Sequence, residues 1–112
     1  MRRTMLLAIL IVPVLVACGT APPKLAKGLP GSNGSPYPEW DQRVRERFPV
    51  GSDERVLLTE LRREHFTFDP TTAGHASYSS SNIACTQHWG VRWAAQDGRI
   101  TQINGEHSVA CL

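Results

Sequence analysis

Three features of the sequence predict an α+β domain: two N-terminal helices, forming an αα-hairpin, packed on a small antiparallel sheet of 2–4 strands that ends in a C-terminal hairpin. Trp40, Val44 and Phe48 recur four residues apart, and Leu57, Leu58 and Leu61 fall on one side of a helical turn, so two helices each present one apolar face. From Ile83 to Gln96 the period changes to two, with Ile83, Cys85, Gln87, Trp89, Val91, Trp93 and Ala95 sharing a face. Asp97-Gly98 then supplies a two-residue hairpin turn, and Arg99 to Leu112 returns with Ile100, Ile103, Val109 and Leu112 as its apolar points.

The cysteines test that hairpin. Across a tight turn at 97–98, facing residues have numbers that total about 195; Cys85 and Cys111 total 196, so a three-residue loop or one bulge brings the two sulfurs together. The bridge would close a loop of about 26 residues and contribute roughly 3 kcal/mol. A zinc pair shared with histidines and two free thiols are the other readings of these cysteines.

Pro38 suits a first helical turn, and Pro49 disfavours helix at Phe48, so the first helix covers about 39–48. Glu39 with Arg43 and Asp41 with Arg45 are acid-before-base pairs at i,i+4. Val50-Gly51 forms the turn, Ser52 or Asp53 caps the second helix, and that helix runs to about His65, which can join its core face. Phe66 to Asp69 reads as a short strand or extended exit, Pro70 to Gly74 as loop, Ala76 to Ser79 as an edge strand, and Ser79 to Asn82 as loop again. Asn104-Gly105 reads as a bulge or second turn.

Ahead of this domain, Met1-Arg2-Arg3 precedes an apolar run from Met5 to Val16. A basic start, a short apolar stretch and a small-residue exit make a secretory signal peptide. The run of about 12 residues is too short for a hydrocarbon core that needs roughly 20, and Pro13 interrupts it. The exit, Leu15-Val16-Ala17-Cys18, resembles the lipobox of bacterial lipoproteins. That resemblance implies cleavage before Cys18, a diacylglyceryl group on its sulfur and an acyl chain, such as palmitate, on its amine. Gly19 stands where enterobacterial-type retention in the inner membrane uses Asp, which implies an outer-membrane lipoprotein facing the periplasm. The chain therefore divides into a signal peptide (1–17), a lipidated flexible linker (18–35) and the α+β domain (36–112). The linker is rich in Gly, Pro and Ser, and its large apolar residues are Leu25 and Leu29. As a free coil it reaches about 20–25 Å and holds the domain clear of the membrane; alternatively Leu25 and Leu29 enter a partner's groove.

Without the signal about 95 residues remain, enough for one small domain that gains from a covalent staple. The 12 basic residues fall to 10 once Arg2 and Arg3 leave, matching 10 acidic ones, so the net charge of +2 of the full sequence belongs to the signal. A neutral domain has no electrostatic footprint for nucleic acid. His65, His75, His88 and His107 lack the His-x-x-x-His or Cys-x-x-Cys spacing of a closed metal site, although His88 and His107 could face each other across the hairpin. Ser77, Ser79, Ser80 and Ser81 stand outside any Gly-x-Ser-x-Gly frame. No phosphate loop or distinctively spaced carboxylate pair is present, so we expect no enzyme, no cofactor beyond the covalent lipid, no metal and no small-molecule substrate. Trp89 and Trp93 have two readings: core beneath the helices with Trp40, or an exposed interaction face for a peptide, glycan or porin loop.

Val50-Gly51-Ser52 followed by Val56-Leu57 and Leu61 resembles the Gly-Ser/Thr turn that opens the second helix in small SmpA/OmlA-type outer-membrane lipoproteins. The likeness covers residues 50–66 and otherwise only the order of elements. It implies a non-enzymatic accessory of the cell envelope that binds protein, as one member of that family does in the β-barrel assembly machinery. Two-helix β-meander domains also occur in β-lactamase-inhibitor proteins, so the alternative is a periplasmic inhibitor or sensor that binds an incoming enzyme such as a lysozyme or β-lactamase.

Overall fold

The structure is a computed structural model that describes residues 21–29 and 37–112. Its elements are helix α1 (Tyr37–Arg47), helix α2 (Glu54–Arg63) and strands β1 (Thr67–Phe68), β2 (His75–Ser81), β3 (Cys85–Gln96) and β4 (Arg99–Cys111), preceded by a 3₁₀ turn at Lys24–Ala26. The strands form one antiparallel meander in the order β1-β2-β3-β4. The predicted α+β class is the observed one. Among the described residues no helix is long and apolar enough to cross a membrane.

Helix α1 buries Trp40, Val44 and Phe48 to 1% exposure or less, the face its spacing predicts. Helix α2 is capped by Asp53, whose Oδ1 accepts the Arg55 backbone N–H at 2.8 Å. That bond holds the Asp53 carboxyl below the usual carboxylate range. The helix buries Leu57 and Leu61 and ends sooner than expected. His65 adopts φ 65°, with its N–H on Arg62 O and the Phe66 N–H on Leu61 O, the two bonds of a Schellman stop. His65 is exposed there, so it does not extend the core face.

The hairpin forms as its turn residues dictate. Asp97 and Gly98 both take left-handed φ, 54° and 77°, as a type I′ turn requires. Ala95 faces Ile100 and Ala94 faces Gln102, which leaves Thr101 as the one extra residue. This bulge carries the register to Cys85↔Cys111, and the disulfide joins them at a Cα–Cα distance of 4.0 Å.

The α1–α2 connection is stitched to the same hairpin. Gly51 donates to Ile100 O, Ile100 donates to Ser52 O, and Glu54 donates to Gly98 O. Asn104-Gly105 is neither turn nor bulge. It lies within β4, where Gly105 lets the Trp40 ring rest on the strand: a Cβ added there would stand 2.9 Å from Trp40 Cδ1. Gly74 is constrained as tightly, because a Cβ would meet Trp93 O at 2.0 Å. Ser79 to Ser81, read as loop, extend β2; the chain turns only at Asn82, whose Oδ1 takes the N–H groups of Ala84 and Cys85.

The linker reading needs correction over 21–29. Leu25 and Ala26 are buried in the domain core, at 8% and 5% exposure, and Leu29 packs against it. The buried Glu64 carboxylate accepts the Leu25 N–H, Arg43 donates to Leu25 O at 3.2 Å and Lys27 O at 2.5 Å, and Tyr78 donates to Ala21 O at 2.9 Å. Arg43 therefore serves this segment rather than the expected partner Glu39, while Asp41 and Arg45 do pair, at 3.0 Å. Docking is favoured because a leucine side chain leaves water. Cys18 and residues 30–35 lie outside the described residues.

Candidate functional site on the open face of the sheet

The helices cover one face of the sheet, and that face consumes the aromatic residues. Trp89 is 3% exposed and Trp93 8% exposed, so neither forms an interaction face. Each indole N–H has an internal acceptor: Trp40 donates to Gly90 O at 3.0 Å, Trp89 to Ser80 Oγ at 2.8 Å and Trp93 to Glu54 Oε2 at 2.9 Å. Trp40 meets Trp89 edge-on at 5.2 Å, and Phe68 meets Trp93 edge-on at 6.3 Å. The rings are core, held by both area and hydrogen bonding.

The opposite face carries the titratable side chains. Alternation turns Trp89, Val91 and Trp93 inward, so His88, Gly90 and Arg92 of β3 face out. They are flanked by His75, Ser77 and Ser79 of β2 and by Glu106 and Ser108 of β4. Gly90 has no side chain, and a depression of about 290 Å³ opens above it, lined by His75, Ser77, His88, Glu106 and Ser108. Arg92 Nε donates to Glu106 Oε1 at 2.9 Å, and the Glu106 contact pushes the Arg92 pKa up. His75 sits between two carboxylates, with Nδ1 3.5 Å from Asp69 Oδ2 and Nε2 4.0 Å from Glu106 Oε2. Asp69 accepts the Thr71 N–H and hydroxyl and the Thr72 N–H, and these bonds, the Thr71 N–H foremost, lower its pKa to about 2.

Histidine, serine and carboxylate are all present here, but not as one relay. Ser79 Oγ lies 3.0 Å from His88 Nδ1, whereas the aspartate pairs with His75. A nucleophilic triad requires a single imidazole bridging both. Among the described residues no group of three or more His, Cys, Asp or Glu side chains is placed to hold a metal.

His107 is not opposite His88. The bulge pairs it with Trp89, on the core face, where it is 8% exposed and its ring lies 4.3 Å from the indole. Its Nε2 donates to Gln87 Oε1 at 3.0 Å. Burial, and then the charge of His88, lower its pKa. The spacing of Ile100 and Ile103, three apart rather than two, is the sequence signal that changes the inward parity and would have placed His107 inside. Gly90 and Glu106 carried no motif; only the strand register reveals them.

A larger hollow of about 540 Å³ lies where the end of α1 meets β4, lined by Arg45, Pro49, Val50 and residues 101–104. It holds one charged side chain, so the chemistry-bearing residues are on the open face instead. No family model, curated protein or solved structure matches this chain.

Proposed function

We propose that this chain is a lipid-anchored lipoprotein of the bacterial cell envelope, held in the outer membrane facing the periplasm, and that it acts as a non-enzymatic accessory that binds a protein partner. Leu15-Val16-Ala17-Cys18 supports the anchor, and Gly19 supports the outer membrane. The Cys85–Cys111 disulfide accords with an oxidising compartment. The observation that carries the binding reading is the open sheet face: a glycine-floored depression lined by His75, His88 and Glu106, the last paired with Arg92 beside it, with the serine and the aspartate on different imidazoles. Such a surface offers donors and acceptors to a polar protein segment.

Affinity capture from detergent-solubilised membranes, with the captured proteins identified by mass, tests this. The wild-type chain should retain a membrane complex that Gly90→Leu and Arg92→Glu lose. Equal capture by all three chains would remove the open face from the account. Capture of a soluble enzyme, abolished by the same variants, would move the chain to the inhibitor reading.

A further inference from the structure

The docked segment 21–29 changes what the anchor can do. As a free coil, residues 18–35 would let the domain stand off by tens of ångströms. With Ala21 bonded to Tyr78 and Leu25 held by Glu64 and Arg43, the free covalent path from Cys18 ends at Ala21. Three Cα–Cα steps of 3.8 Å span about 11 Å at most, whatever their conformation. An acylated cysteine sits at the lipid surface, so the side of the domain from which Ala21 emerges is confined to within about that distance of the headgroups.

The chemistry of that side suits the neighbour. Segment 21–29 carries two lysines and no carboxylate, and Lys24 and Lys27 are both exposed. The path of about 11 Å, close to the screening length of about 8 Å at physiological ionic strength, bounds Ala21, and Lys24 and Lys27 follow it by only three and six residues on the same docked segment, which brings both ammonium groups towards anionic headgroups. We propose that the domain rests on the lipid surface through this docked segment, with Lys24 and Lys27 against anionic headgroups, rather than standing away on a flexible stalk. This rests on the lipid-anchor reading above. Because Glu64, Arg43 and Tyr78 hold the segment on the domain, the same side of the domain is always the one presented to the lipid, which restricts how the partner face can be oriented.

Lys24 and Lys27 are the only lysines in the sequence, which makes the test direct. Full-length chain purified from membranes is first weighed intact, then reconstituted into phosphatidylethanolamine–phosphatidylglycerol vesicles and treated with a membrane-impermeant amine-reactive ester. Labelling at each lysine is read by peptide mass. The comparison chain carries about ten Gly and Ser residues inserted between Gly19 and Thr20, adding on the order of 33 Å of reach without touching the domain. We expect labelling of Lys24 and Lys27 to be slower by roughly threefold or more in the native chain than in the insertion chain. Equal rates in two chains whose mass includes the lipid would overturn the surface contact and leave the anchor standing. A mass without lipid would overturn the anchor, and this inference with it.

Discussion

Replacing Gly105 by alanine is the sharpest probe of how the helices meet the sheet. The new methyl carbon would stand 2.9 Å from Trp40 Cδ1 and Nε1 and 3.1 Å from Asp41 Cα. Trp40 has no exposed area, and its N–H is committed to Gly90 O, so the ring has nowhere to retreat. Overpacking of this kind costs about 1–3 kcal/mol. If the ring moves far enough to break its bond, the buried donor and acceptor add about 1–3 kcal/mol. We expect a loss of about 2–4 kcal/mol, which for a domain this size lowers the melting temperature by roughly 10–25 °C. Gly90→Ala is the control: its Cβ meets Glu106 Cβ at 3.4 Å on the open face, and the change should stay within about 1 kcal/mol of neutral. Urea denaturation followed by tryptophan fluorescence measures both. A Gly105→Ala chain within about 0.5 kcal/mol of wild type, or no weaker than Gly90→Ala, would refute the close approach of Trp40 to β4.

Cys85→Ser or Cys111→Ser should cost about 3 kcal/mol, since the bridge closes a separation of 26 residues; a melting temperature unmoved by either change would deny the disulfide its stabilising part. His65→Gly should stabilise by about 0.5–1 kcal/mol, because glycine adopts the φ of 65° without a Cβ penalty and the imidazole is exposed; a neutral or negative result in the same assay would contradict this. Glu64 predicts a pH dependence. Burial raises its pKa above the ordinary 4.5, against the opposing Leu25 N–H bond, so the ionised form costs stability at neutral pH and that cost is relieved as pH falls through the raised value towards 4.5. His107 opposes it: its lowered pKa means stability is lost as pH falls through 6.5. Glu64→Gln keeps an acceptor for Leu25 and removes the charge, so the stability difference between wild type and Glu64→Gln should move in favour of wild type between pH 7 and 4.5. A difference independent of pH in that window would place Glu64 in water rather than in the clamp. Asp69 acts in the lower range, where its contribution is present above 3.8 and lost as pH falls towards 2; Asp69→Asn should flatten that limb of the denaturation curve.

Local patterns were legible in the sequence where one element decides them alone. Trp40, Val44 and Phe48 mark a helix face whatever lies opposite, and Asp97-Gly98 sets a turn by its own φ preferences. The Cys85–Cys111 pairing was legible because two constraints, the turn and the sulfurs, meet on one register. What was hidden needed a partner far along the chain. Leu25 reads as linker because its neighbours are Pro, Lys and Gly; its acceptor, Glu64, is 39 residues away and looks like one more charged residue at a helix end. Gly105 reads as a turn because nothing near it names Trp40.

The open face is a product of the same register. Thr101 is the single extra residue between Ile100, inward opposite Ala95, and Ile103, inward opposite Trp93. Beyond it the odd-numbered residues of β4 turn to the core: His107 goes inside against Trp89, while Glu106 and Ser108 go out to meet Arg92 and His88. A one-residue step exchanges the two faces of a strand. The bulge that lets Cys111 reach Cys85 therefore also decides which titratable groups surround Gly90. A strict hairpin would have set His107 opposite His88, as the numbering first suggested, but it would have placed Cys85 and Cys111 one position out of register. The staple and the candidate site thus rest on one structural choice, and no single residue of the site could have disclosed it.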